Sequence, residues 1–507
     1  MGVQDWLQPG LAARSMIPVF RLRSIKAPWR KACMVGIRLG TTGDGMATNL
    51  KELSKHVFWM HGSDYEPNPP LTGDARTDVV IVGGGFTGLW SAYLLLEEDP
   101  ARKVVILEGN QVGYGASGRN GGFVMTLVHH SLESLAELTG DDGARSIHAA
   151  AMRSVDHVSS VIREEAIDCD PMPSGLLMVS GSPPEDARIE ATVAAAERLG
   201  FSNVIRYLSR DEAQAEIRSE RIRCGLAEEP CTLVNPAKLA WGLKRVVERM
   251  GARVHEDTRV IGWKEASSGV VVSTDHGNVS ADRAVIGGNA YGHAWRPTRD
   301  HVNTFYTYIC LTRPLDDDEW SSVGWAGRQG VEDRRRGLHY FRPTTDGRIL
   351  WGGREVVFSP RGPKPKHDVD DGVRVRLRET FEEFFPQLRH VPFEHHWGGP
   401  IGITSHFLPV VGFSNDKVRR VAHAYGYNGH GMAITNLAAH AVRDLLADRE
   451  SEWTDLYFVG RRPPLAGPRP VRNRLIKRIS RATRKADDEG RTKEPLLLRM
   501  LNAFNRS

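Results

Sequence analysis

Cysteine is scarce in this chain: five in 507 residues, none spaced as C-x-x-C or as a zinc ligand set. That excludes a disulfide-stapled scaffold, gives no expectation of a metal, and makes a reducing, cytoplasmic compartment the default. Internal repeats are absent, so a solenoid is excluded. No basic patch interleaved with aromatics occurs in the body, so no nucleic-acid partner is expected. The first 45 residues lack a long apolar segment and a small-residue cleavage site, which argues against a secretory signal. One uncharged run, 79–96, is long enough to raise a membrane span. Three consecutive glycines inside it, Gly83 to Gly85, argue instead for a strand, a turn and a helix.

Charge is unevenly placed. Residues 1–45 hold seven Lys/Arg and two acids, and residues 461–507 hold fourteen and four. The ends therefore carry +15 and the body about −10, against a total of +5. Segment 1–45 is expected to be a basic disordered arm, an organelle-targeting peptide or a misassigned start, with Met46 as the natural first residue. In the 461–507 tail, Val471, Leu475, Ile479 and Ala482 share one face of a helix among Arg and Lys. Such a helix either makes weak contact with an acidic membrane surface or docks on the protein's own acidic body.

The densest signal lies at 78–108. An apolar strand, Val79 to Val82, runs into G-x-G-x-x-G at Gly83, Gly85 and Gly88. A helix follows from Thr87 to Glu98, then a second buried strand from Lys103 to Leu107, closed by Glu108. Gly83 allows the tight turn, Gly85 lets the backbone approach a pyrophosphate, and Gly88 lets the helix pack on the strand. The helix N-terminus offers unpaired N–H groups to phosphate, and Glu108 can accept hydrogen bonds from a ribose. Phe86 and Thr87 open that helix and join the expected dinucleotide site.

Further along, Asn235 caps a helix with Pro236 at its first position. Strands are expected at Arg259–Trp263, Val270–Val272 and Ala284–Ile286, as additions to the nucleotide domain. Others are expected at Gly175–Val179, Tyr306–Leu311 and Arg348–Trp351, in a second, mainly antiparallel domain. The fold class is α/β: a Rossmann-like domain with a parallel sheet (75–145, 231–300 and 395–450) interleaved with an α+β domain (146–230 and 301–394).

Two more glycine-rich segments stand out. Gly113–Gly122 holds five glycines and offers Ser117, Arg119 and Asn120 as donors. Tyr425–Met432 leads into an apolar helix from Ala433 to Leu446. A nicotinamide dinucleotide alone would not need these additional sites.

At these residues the chain resembles the flavoprotein oxidoreductases of the D-amino-acid oxidase type, over about 54–461. The segments G-Y-G-A-S-G-R-N-G-G, H-Y-F-R, W-G-G and G-H-G-M are closest to the γ-glutamylputrescine oxidoreductase group. The resemblance implies non-covalent FAD. Gly83, Gly85, Gly88 and Glu108 would hold its ADP half, with Val260 meeting adenine. Gly115, Ala116, Ser117, Arg119, Asn120, Gly121 and Gly122 would lie near the diphosphate and ring. Gly429, His430, Gly431 and Met432 would sit at the flavin. No Cys or His stands in a position matching a covalent linkage. The helix N-terminus there would stabilise charge on the reduced ring.

The implied chemistry is oxidation of a C–N bond. The substrate carbon gives a hydride to flavin N5, and the imine hydrolyses. No side-chain base is required, so no catalytic residue is named. Substrate-pocket candidates are Tyr340, Arg342, Trp397 and His406. Tyr340 would close over substrate or pack under the sheet. Arg342, on the same strand face, would clamp a carboxylate or sit solvated at the edge. Amino-acid-oxidising relatives carry an Arg where this chain has Ile401, and an Asp where it has His406. A carboxylate left unpaired in a dry pocket costs several kcal/mol. An amine substrate without an α-carboxylate is therefore expected, unless another Arg serves. The electron acceptor is oxygen or an unidentified carrier. Two alternatives are a D-amino-acid or glycine-type dehydrogenase feeding a membrane quinone, and a flavin-binding module without turnover.

Overall fold

The computed structural model describes residues 50–463 and 469–489; the expected arm at 1–45, Met46 and the end of the tail lie outside them. Strand Ala75–Val82 pairs in parallel with Val104–Leu107 on one side and Asn278–Ile286 on the other. Arg253–His255 and Val421–Tyr425 extend this parallel sheet at its two edges. Val104–Leu107 is buried along its whole length, as a strand covered on both faces must be. The hairpin Val260–Ala266 and Gly269–Thr274 adds antiparallel strands beside Asn278–Ile286.

Helix Phe86–Glu98 follows the glycine turn and ends where Asp99 precedes Pro100, which disfavours helical backbone. It packs on Gly431–Leu446, a helix buried along most of its length. Asn235 caps Pro236–Arg249 as expected, its side chain accepting from the N–H groups of Ala237 and Lys238.

The second sheet runs Phe393–Ile403, Asn303–Thr312, Ile349–Phe358, His339–Pro343, Gly330–Asp333, Leu176–Ser180, Cys224–Glu228 and Ile205–Leu208. All its pairs are antiparallel except Gly330–Asp333 with Leu176–Ser180. Two expected boundaries need correction. Residues 395–403 belong to this sheet, because Phe393–Ile403 pairs with Asn303–Thr312 from end to end. The 145/146 boundary falls inside helix Leu132–Glu164.

The C-terminal segment forms helix Arg469–Asp488. Its contacts are with the protein itself: Arg472 is 4% exposed and donates to the Asp300 carbonyl at 2.5 Å. Arg469 donates to His293 Nδ1 at 3.0 Å. Of the expected apolar face, Leu475, Ile479 and Ala482 are half-buried and Val471 is exposed. No helix among the described residues is long and apolar enough to cross a membrane.

Candidate active site

A cavity of about 530 Å³ starts at the C-terminal ends of the parallel strands and continues onto the face of the antiparallel sheet. Ligands of open α/β sheets bind at such strand ends. Gly83 turns the chain there with φ +107°, a conformation open to glycine. A Cβ on Gly85 would lie 2.9 Å from Ser117 Oγ, so that hydroxyl would have to leave its place beside the Phe86 N–H. Gly83, Gly85, Phe86 and Thr87 line the cavity. Gly88 does not; its role is packing, since a Cβ there would lie 2.0 Å from the Gly83 carbonyl oxygen.

Glu108 closes the second strand. Its carboxyl accepts from the N–H groups of Gly84 at 2.7 Å and Asn110 at 2.9 Å. Burial pushes it up to about 7, against the pull of those two donors. Val260 lines the same end. Its carbonyl accepts from the Trp295 indole at 3.3 Å.

Gly115, Ala116, Ser117, Arg119, Asn120 and Gly121 form the next stretch of wall. Arg119 pins this loop to the antiparallel sheet through the Gly398 carbonyl of strand Phe393–Ile403 at 3.4 Å; it also pairs with Asp368 at 2.8 Å and donates to the Tyr114 carbonyl at 2.8 Å. Its Nη2 is buried without a partner. Gly122 does not line the cavity; it has φ +76°, and a Cβ would meet the Val234 carbonyl oxygen. Gly429, His430, Gly431 and Met432 complete the wall, at the N-terminus of helix Gly431–Leu446. The Gly85 cradle, the orphaned Arg119 Nη2 and two helix N-termini as donors, with the Glu108 carboxyl as acceptor, are a set that fits FAD.

His430 meets His129 edge to face at 5.4 Å. Burial pushes His430 down to about 4 and holds His129 well below the usual imidazole range. His129 carried no signal in the sequence; it lines the cavity and has φ 85°.

Of the four substrate-pocket candidates, Tyr340 and Trp397 line the cavity. Trp397 is fully buried and donates to the Arg119 carbonyl at 2.9 Å. Arg342 does not reach it. Its Nη1 donates to the carbonyls of Val234, Gly122 and Gly121 at 2.8, 3.2 and 3.3 Å, and its Nε to Pro343 O at 2.9 Å. It is a buried brace under the 121–122 loop, neither solvated nor at a substrate. His406 is also outside the cavity. Its Nδ1 meets Thr404 Oγ1 at 3.1 Å and the Leu408 N–H at 3.2 Å, shaping a turn. Ile401, by contrast, is on the wall. Glu332, Arg336 and Arg354 line it too and were missed: register decides which way the strand residues Glu332 and Arg354 face, and Arg336 is placed by the loop between two strands.

A family profile described as "DAO: FAD dependent oxidoreductase" matches residues 78–445. The chain is 30% identical to gamma-glutamylputrescine oxidoreductase of Escherichia coli (strain K12) over 425 residues, 83% of this chain and 96% of that one. It is 29% identical to the probable oxidoreductase OrdL of Rhizobium meliloti (strain 1021), over 80% of this chain and 91% of that one. Among solved structures, glycine oxidase from Geobacillus kaustophilus superposes with a TM-score of 0.65 at 20% identity, covering 76% of this chain and 99% of that chain.

Proposed function

We propose, since this chain belongs to the DAO family of FAD-dependent oxidoreductases, that it oxidises a small amine lacking an α-carboxylate at the carbon bearing nitrogen. The observation that carries this reading is one continuous cavity, which runs from the Gly83–Gly85 turn to Tyr340 and Trp397 with Ile401 on its wall. An Ile there cannot pair with a carboxylate, so an α-amino acid would find no partner at this point of a largely apolar wall.

In this reading Gly83, Gly85, Phe86, Thr87, Glu108 and Val260 would hold the ADP half. Ser117, Arg119, Asn120 and Gly121 would hold the diphosphate and the part next to the ring. The N-terminus of Gly431–Leu446 would favour negative charge on the reduced ring. When bound, FAD supplies the hydride acceptor. Tyr340 flanks the substrate and excludes water, with the buried Trp397 backing the wall. His129 and His430, kept neutral by burial, put no positive charge beside the incoming amine. The substrate loses a hydride from carbon and a proton from nitrogen. Water then hydrolyses the imine to a carbonyl compound and ammonia or a smaller amine. Electrons would pass to oxygen or a carrier, in a reducing cytoplasmic setting that suits the cysteines among the described residues, which are buried and unbonded. A second reading, oxidation of a D-amino acid or glycine with electrons passed to a membrane quinone, draws on Arg336 and Arg354 in the same wall.

The test is product analysis with an artificial electron acceptor. A primary alkylamine or γ-glutamylated diamine is expected to yield carbonyl compound and ammonia in equal amounts. Product from α-amino acids alone would favour the second reading, and product from neither class would end both.

A further inference from the structure

One row of directly opposed residues crosses the cavity face of the antiparallel sheet. Glu332 stands opposite Tyr340, and Tyr340 opposite Gly352. Gly352 in turn faces Ile309, and Ile309 faces Trp397. Opposed residues share a sheet face, and Glu332, Tyr340, Ile309 and Trp397 all line the cavity. Gly352 leaves room for the Tyr340 ring to lie across it: a Cβ there would come within 2.7 Å of that ring. The row is thus an apolar, partly aromatic strip with a carboxyl at one end.

Only two acids line the cavity among the described residues, and their situations differ. Glu108 is held at the dinucleotide end by two backbone donors. Glu332 is 3% exposed, and its carboxyl, unlike that of Glu108, makes no hydrogen bond among the described residues. Its neighbour Asp333 is occupied by His339 at 2.7 Å and Arg335 at 3.6 Å. Arg334 is turned to Glu133 at 3.6 Å and Thr192 at 3.3 Å. Across the parallel pair, Glu332 meets Met178, which cannot neutralise it. Burial pushes the Glu332 carboxyl up to about 8; Arg334 lowers it, while Asp333 and Glu228 raise it. A buried carboxylate without a partner is costly, and an arriving cation removes that cost.

We propose that Glu332 is the counter-ion for a cationic nitrogen of the substrate, so that the site selects an aliphatic ammonium compound whose chain lies along Tyr340, Ile309 and Trp397. The proposal rests on the amine-oxidising reading and adds to it the residue that recognises positive charge. Tyr340 contributes through the face of its ring, which attracts a cation.

The test uses the FAD-loaded protein and two probes of equal shape. Tert-pentylammonium has no hydrogen on the carbon bearing nitrogen, so it cannot be oxidised; tert-pentanol is its neutral match. By calorimetry the wild type is expected to bind the ammonium about ten-fold or more tightly than the alcohol. Glu332→Gln should abolish that preference while leaving alcohol binding and flavin content unchanged, and Glu332→Asp should keep part of it. A wild type without the preference, or a Glu332→Gln variant that retains it, would overturn the proposal. If amines are oxidised with unchanged KM by Glu332→Gln, only the Glu332 assignment fails. If the preference is lost in Glu332→Gln but no amine is ever oxidised, the charge-recognition site stands and the oxidation reading fails.

Discussion

Arg342 is a buried cation whose donors go to main-chain carbonyls, and this sets what its removal should do. Arg342→Met takes the side-chain donor from the Val234 and Gly121 carbonyls, while the Gly122 carbonyl keeps the Val234 N–H. The expected loss is about 2–4 kcal/mol of stability, from several polar groups left unsatisfied. Since the guanidinium does not reach the cavity, KM for a carboxylate-bearing amine and for a plain amine should change by the same factor. Thermal melting and paired kinetics check this; a selective rise in KM for the carboxylate-bearing substrate would restore the clamp reading. The contrast with the glycines is physical. Gly83 and Gly88 were legible because a left-handed turn and a close approach to backbone leave room for no other residue. Arg342 and Glu332 were not, because the sequence does not say whether a polar side chain on a strand meets a carbonyl, a cavity or solvent.

Strand Cys224–Glu228 ends in an acid buried against other elements. Glu228 accepts from Thr126 Oγ1, and His148 of helix Leu132–Glu164 stands 3.7 Å away. Burial pushes the Glu228 carboxyl from 4.5 up to about 7. Between those values the folded protein binds the proton more firmly than the unfolded chain, so this group's contribution to stability falls as pH rises. Glu228→Gln removes the dependence. The variant should match the wild type near pH 4.5 and become the more stable of the two by neutral pH. Denaturant unfolding across that window measures it, and a difference that stays constant with pH would contradict it. At this scale the helices read well from sequence: Asn235 and Pro236 mark a start that the structure reproduces. The strand Phe393–Ile403 read poorly. Its Gly398, Gly399 and Pro400 resemble a loop, yet Asn303–Thr312 supplies pairing along its length.

The whole molecule sets a parallel sheet, with phosphate-binding geometry at its strand ends, against an antiparallel sheet whose face closes the same cavity. The first half of that arrangement was legible because dinucleotide binding needs a fixed order of strand, glycines, helix, strand and acid over about 30 residues. The second half was legible only in outline, since the substrate end is assembled from residues scattered between Phe123 and Ile403. His129 and Glu332 face one another's cavity from segments some 200 residues apart, and no local pattern announces such a pairing. The central claim is that this cavity oxidises an amine with FAD. Anaerobic titration of the yellow holoprotein with alkylamines, γ-glutamylated amines and α-amino acids tests it most directly. Loss of the oxidised-flavin colour with the amines, and its return when an electron acceptor is admitted, is the predicted result. Bleaching by α-amino acids alone, or by none of the panel, would contradict the account.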